Sequence, residues 1–221
     1  MLCLSDRCAI EDEYADGKLR LLDEREEQRK RIVKWLKAKD YYDFLSEKEK
    51  AIMNIPLSEK KNEEIFSMSR NYEFIEPMIW AVGLTREISD YRDYSATNFH
   101  FFLKIGPDHT QELLDKSSSM WHDEVIEKQR KIAELWYWRA LEHKKGLLKK
   151  GEVPAAIDKK FGETYTGLLD SYKCFDCRKG DFLVGRKTVA DLNEEETDRL
   201  CDIAMKRSYA LEWICSDDEW E

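Results

Sequence analysis

Helix breakers are scarce in this chain. Nine glycines and four prolines punctuate 221 residues, leaving stretches rich in Glu, Lys, Arg and Leu that are long enough to wind several helical turns. A chain with so few places to turn folds into a small number of long helices, solvated on one face and apolar on the other. The charged fraction of 38% exceeds the usual quarter and belongs on helix surfaces, while a hydrophobic share of 42% suffices for a core. Length alone allows one large domain or two small ones. Composition does not shift midway, and no repeat or low-complexity linker interrupts the chain. The expected fold is mostly α: a single-domain helical bundle over residues 18–221 after a loosely ordered polar arm at 1–17, with one small β-hairpin near residues 181–189.

Periodicity and capping residues place the elements. Lys18 to Lys39 reads as a helix with Leu19, Leu22, Val33 and Leu36 inward and an exposed charged stretch at Glu24–Arg31. An aromatic connection (Tyr41, Tyr42, Phe44, Leu45) leads to Ser46, which with Glu49 forms a capping box for a helix through Met53. Pro56 closes that helix and Ser58 is placed to cap another. In Tyr72–Gly83 the residues Ile75, Met78, Ile79 and Val82 share one helical face, and Gly83 is the natural stop. Pro77 predicts a kink there, or a helix start near Glu76. Residues 86–106 read as an irregular, aromatic, packed loop, and Asp108–Lys116 as a short helix. The longest helix is expected from Ser119 to Lys145 with Val125, Ile132, Trp136 and Ala140 inward. Pro154 starts another through about Tyr172. Phe182, Leu183 and Val184 face Thr188 and Val189 across Gly185-Arg186-Lys187 as the hairpin. Asn193 with Glu196 caps a final helix whose buried face is Thr197, Leu200, Cys201, Ala204, Ser208, Leu211 and Cys215.

Several classes of function lack their signals. There is no Walker loop, G-x-G-x-x-G, G-x-S-x-G or H-E-x-x-H, and the chain is expected to need no cofactor. No secretory signal opens it and no run approaches the ~20 apolar residues of a membrane span, so a cytoplasmic location without a membrane partner is expected. Cys174 and Cys177 form a lone C-x-x-C. The downstream Cys201 and Cys215, about 21 Å apart along one predicted helix, cannot both join it around a metal and read as small buried hydrophobes. His122 and His143 are separated by roughly 31 Å of helix, and the consecutive His122, Asp123 and Glu124 point in different directions, so no metal site is expected. A net charge of −9 repels a phosphate backbone. The cluster Lys144, Lys145, Lys149, Lys150, Lys159 and Lys160 reads as a solvated face, which leaves nucleic acid a poor partner.

What is left is a set of large side chains on three predicted helices: Trp80 on the first, Glu134, Trp136, Trp138 and Arg139 on the second, and Arg207, Tyr209, Glu212 and Trp213 on the third. An arginine among tryptophans is held by cation–π contact and, if buried, seeks a carboxylate such as Glu76, Glu134 or Glu212. Trp80, Glu134, Trp138, Arg139, Arg207, Glu212 and Trp213 therefore form either an internal polar tie or an aromatic-lined pocket with an arginine for an anionic group.

These residues also carry a family resemblance. The tail GDFLVGRKTVADLNEEETDRLCDIAMKRSYALEWIC, with Arg207, Ala210, Leu211, Trp213 and Trp220, resembles the family catalogued as domain of unknown function 4272. Phe74–Leu84 (FIEPMIWAVGL) looks like its Trp-Ala-x-Gly-Leu helix. Tyr137-Trp138-Arg139-Ala140 is similar to its central helix, with aromatic and arginine in a different order, and Arg29–Leu36 loosely suits its N-terminal one. The resemblance runs from about residue 25 onward, with Glu221 where the family has a final aspartate. It implies a helical fold and brings no established activity. Small cytoplasmic proteins of this kind resemble partners in bacterial conflict systems. Two expectations follow: an immunity-type module that covers a basic protein partner, using the acidic Asp217, Asp218, Glu219 and Glu221, or a ligand-binding protein or enzyme built on the Trp/Arg cluster with Glu134 or Glu212 as general base.

Overall fold

The computed structural model describes residues 22–56, 72–95, 120–169 and 172–216, and these form a mostly α-helical protein with a small antiparallel β element. The expectations for the arm at 1–17, the cap at Ser58, the helix at Asp108–Lys116 and the acidic tail from Asp217 lie outside the described residues.

Helix α1 (Leu22–Ala38) packs on a 3₁₀ turn (Tyr41–Phe44) and on α2 (Glu47–Asn54). Among the residues whose burial is described Ile32 is buried, while Val33 and Leu36 are half-covered. The capping box at α2 forms as the sequence requires: the Ser46 hydroxyl accepts from the Glu49 N–H at 3.3 Å and Glu49 accepts from the Ser46 N–H at 3.0 Å.

Helix α3 (Tyr72–Ala81) contains Pro77 and is already helical at Tyr72, ahead of Glu76. It ends as Gly83 implies. The Gly83 N–H bonds the Trp80 carbonyl and the Leu84 N–H that of Ile79, both at 2.9 Å, with Gly83 left-handed at φ 73°. This is a Schellman closure.

Two long helices make the frame. Helix α4 (Asp123–Lys144) and the last helix, α7 (Glu194–Cys215), pack along one another, and α7 also packs on α3. Ile132, Trp136 and Ala140 of α4 are buried as their spacing predicts. Val125 is 41% exposed instead, because Ile126, one 100° step round the helix, is the residue that meets Trp80, Ala81 and Leu211. On α7, Asn193 and Glu196 form the expected capping box, and Thr197, Leu200, Ala204 and Leu211 are buried. Cys201 and Ser208 are half-covered and Cys215, on the last turn beyond Leu211, is exposed.

Between the long helices the chain builds a lobe. The single helix expected from Pro154 to Tyr172 is two, α5 (Val153–Phe161) and α6 (Glu163–Leu169), broken at Gly162, whose φ of 87° and ψ of 175° leave helical space. Strands β1 (Phe175–Asp176), β2 (Asp181–Val184) and β3 (Lys187–Thr188) form a three-stranded antiparallel sheet in sequence order. Leu183 pairs with Thr188 and Val184 with Lys187, so the hairpin turn is the two residues Gly185-Arg186, and Val189 starts a 3₁₀ turn rather than extending the strand. Strand β1 has no signal in the sequence, since two residues carry no alternation to read.

Candidate functional site

The core is centred on α4. Trp136 stacks on Tyr91 with ring centres 4.5 Å apart, leans on Phe182 at 4.8 Å, and donates its indole N–H to the Tyr172 hydroxyl at 2.8 Å. Tyr91 comes from the irregular segment after α3, so the described part of that segment is packed against the core, as its aromatics suggest. Burial raises the phenol pKa of Tyr91 and of Tyr172.

Two buried ion-pair networks flank this stack. On one side Arg139, fully buried, donates through Nε and Nη2 to both carboxylate oxygens of Asp181 at 2.8 and 2.9 Å. Asp181, equally buried, also accepts the backbone N–H groups of Phe182 at 2.9 Å and Ala190 at 3.0 Å. One carboxylate thereby ties the long helix to the start of β2 and to the 3₁₀ turn after β3. Nη1 of Arg139 has no hydrogen-bond partner among the described residues.

On the other side Arg207 of α7, also fully buried, meets two carboxylates of α3. Its Nε lies 2.7 Å from Glu73, and its Nη2 is 2.7 Å from Glu73 and 3.1 Å from Glu76. Nη1 donates to the backbone carbonyls of Ser89 and, at 3.1 Å, Asp90, and the guanidinium lies 4.8 Å from the centre of the Tyr91 ring. Glu76 in turn accepts from the N–H and hydroxyl of Ser89, and Glu73 from the N–H of Ser95. Two buried carboxylates thus face one guanidinium, and together they pin residues 89–95 to the helices. Burial raises the pKa of Glu73, and the charge of Arg207 opposes but does not cancel that shift. For Arg207, burial works against its charge, but Glu73 leads the groups that outweigh it, and its pKa rises.

The sequence places Trp80, Glu134, Trp138, Arg139, Arg207, Glu212 and Trp213 in one group; the structure distributes them. Trp80 is buried in the smaller apolar cluster beside Trp121, and Trp138 in the larger one, edge-on to Phe161 at 5.5 Å. Arg139 and Arg207 use different carboxylates. Glu76 is one of the partners expected for a buried arginine; Glu73 and Asp181 are not, although a glutamate three residues before Glu76 in an apolar helix is a readable signal.

Glu134 and Glu212 do come together, on a third arginine. Arg130 binds Glu212 at 2.8 Å, Glu127 at 2.7 Å and Glu134 at 3.4 Å, and Glu134 accepts the Tyr165 hydroxyl at 2.6 Å. The hydrogen bond to Glu127 leads the causes that raise the pKa of Arg130. Burial and then the bond to Glu134 push that of Tyr165 up to about 12. Trp213 is half-buried near the end of α7.

Cys174 is half-buried and Cys177 exposed, and burial raises the thiol pKa of Cys174. Among the described residues no group of three or more His, Cys, Asp or Glu side chains is gathered as a metal would require, and no helix is long and apolar enough to cross a membrane.

Comparison of the chain with family models, with curated proteins and with solved structures finds no match.

Proposed function

We propose that the chain is a cytoplasmic protein-binding module of immunity type that covers a basic protein partner. One observation carries this reading over a pocket that recognises an anion: Arg139 and Arg207, the guanidiniums such a pocket would use, are fully buried and already face carboxylates of the chain itself. A buried, neutralised arginine supports packing and offers no charge to an incoming ligand.

The distribution of charge supports the same reading. Residues 144–190 hold eleven Lys and Arg against six Asp and Glu, a net of +5, so the rest of the chain carries −14 within the total of −9. Exposed Glu194 and Glu195 at the head of α7 and Asp123 and Glu124 at the head of α4 belong to that acidic part, and so do Asp217, Asp218, Glu219 and Glu221 in sequence. Acidic fields of this kind accelerate association with basic partners. A relation to the family of domain of unknown function 4272 is part of the proposal, since Arg207, Ala210 and Leu211 of the shared tail are all core residues of α7.

The test is affinity capture of the tagged chain from its source cells, followed by binding kinetics with the purified partner at rising salt. A stoichiometric basic protein whose association rate falls steeply with salt is the expected result. A partner whose binding ignores salt contradicts the electrostatic account. The ligand-binding reading keeps one specific observation, the meeting of Glu134 and Glu212 on half-buried Arg130. It would prevail if Arg130→Ala left the fold intact while abolishing binding of a small anion.

A further inference from the structure

A different face of the molecule carries an exposed leucine among lysines. The end of α4 closes at Gly146 in the same way as α3 closes at Gly83: the Gly146 N–H bonds the His143 carbonyl at 2.9 Å and the Leu147 N–H that of Glu142 at 3.0 Å. In this motif the leucine after the glycine ordinarily packs back onto the helix residue whose carbonyl it caps. At the α3 closure that residue is buried Ile79 and Leu84 is half-covered. At the α4 closure it is Glu142, and Leu147 is left 65% exposed. The closure therefore leaves most of this leucine in solvent.

Around it lie cations. Lys145, Lys149 and Lys150 flank Leu147 in the sequence KKGLLKKG and all are exposed. A second loop brings two more, because the Gly151 N–H bonds the Gly180 carbonyl at 3.4 Å, which sets exposed Arg178 and Lys179 beside the first loop. Lys150 is paired with Asp191 at 3.3 Å and Lys179 with Asp176 at 3.7 Å, whereas Lys145, Lys149 and Arg178 make no ion pair among the described residues.

We propose that this two-loop tip docks on the surface of an anionic phospholipid bilayer, with Leu147 entering the headgroup boundary and Lys145, Lys149, Lys150, Arg178 and Lys179 facing the lipid charges. An exposed apolar residue among five cations, with exposed Glu152 held to the Lys149 N–H as the acidic group of the first loop, matches the two components of peripheral membrane binding, and the −14 carried elsewhere orients the basic tip toward the lipid. A nucleic acid would use the lysines but has no use for the leucine, and the tip presents no exposed aromatic ring for base stacking. Such docking needs no spanning helix, so it differs from the expectation of no membrane partner, which rests on the lack of a secretory signal and of an apolar run long enough to span.

The experiment is co-sedimentation of the full chain with phosphatidylcholine vesicles made with and without phosphatidylserine. Binding only to the phosphatidylserine vesicles, falling as salt rises, is expected. Each cation near an anionic surface is worth about fivefold in binding, so Lys145→Glu with Lys149→Glu should weaken it by roughly twentyfold or more. Leu147→Ser should weaken it severalfold while far-UV circular dichroism stays unchanged. Equal pelleting with both vesicle types, or indifference to the charge reversal, overturns the proposal. So does tighter binding to duplex RNA than to vesicles with no effect of Leu147→Ser, which would mark the tip as a nucleic-acid surface.

Discussion

Asp181 holds Arg139 with both carboxylate oxygens while accepting two backbone N–H groups, and neither side chain has any exposed surface. Losing one partner of such a pair strands a buried charge, which costs about 3–5 kcal/mol. Asp181→Ala should cost more than Arg139→Met, because the aspartate also satisfies Phe182 and Ala190. The double variant Arg139→Met/Asp181→Leu should recover part of the loss, since two apolar groups leave no orphan charge. Urea unfolding of the four proteins checks the order. Equal stability of wild type and Asp181→Ala would show that the pair does not hold the sheet to α4.

The second network gives a pH dependence with a definite sign. Glu73 has a folded pKa above its ordinary value of 4.5, so the folded state holds that proton more tightly than the unfolded chain. Its contribution to stability is fully present below the unfolded pKa and is lost as pH rises through the folded one. Glu73→Gln removes the dependence. The difference in unfolding free energy between wild type and Glu73→Gln should therefore shift against wild type as pH rises from about 4.5 toward neutrality. Asp93, Glu127, Asp191 and Glu196 have lowered pKa values and act in the opposite direction, but they are common to both proteins and cancel. A flat difference across that range would mean that Arg207 fully compensates the burial of Glu73.

These networks mark the boundary of what the sequence discloses. Local signals were readable: the caps at Ser46 and Asn193, the stop at Gly83, the hairpin from Asp181 and the buried stripe of α7 all depend on neighbours within a few residues. Pairings between Arg139 and Asp181, 42 residues apart, or Arg207 and Glu73, 134 apart, depend on how helices cross, which no local pattern records. Tryptophan and arginine stand out in the sequence as residues that must be satisfied when buried. They do not gather in one place because the two clusters lie at different levels along the paired helices: Trp80 meets Ile126 and Ala133 of α4 and Leu211 of α7, while Trp138 belongs with Leu135, Ala140 and Leu200 further along. Val125 and buried Ile126 differ by a single residue, and on a helix that is a rotation of 100°.

Gly180 tests the contact between the two loops of the basic tip. It has φ of +62°, and a Cβ there would lie 2.9 Å from the Gly151 Cα. Gly180→Ala adds a backbone clash to left-handed strain of about 1–2 kcal/mol. Gly146→Ala meets the strain alone, with nothing within 4 Å of the new methyl group. Both should lower the thermal midpoint, Gly180→Ala by clearly more. Equal losses would place the two loops apart in solution.

Tyr165 reports on the cluster where Glu134 and Glu212 meet. Burial and the bond to Glu134 raise its phenol pKa to about 12, and Arg130 opposes the shift. Glu134→Gln should bring the midpoint down toward the ordinary value near 10 without reaching it, since burial persists. Arg130→Ala should raise it, and should cost more than the ~1 kcal/mol of an exposed pair, because the half-buried guanidinium serves three carboxylates. Carbon-13 NMR of labelled tyrosine, with Tyr165→Phe to assign the signal, separates it from the more deeply buried Tyr91 and Tyr172. Shifts in opposite directions for the two variants would establish that Glu134 acts on the phenol directly while Arg130 competes with it. A midpoint unmoved by Glu134→Gln would show that the hydrogen bond is not formed in solution, and Glu134 would then be free to act as the base that the ligand-binding reading requires.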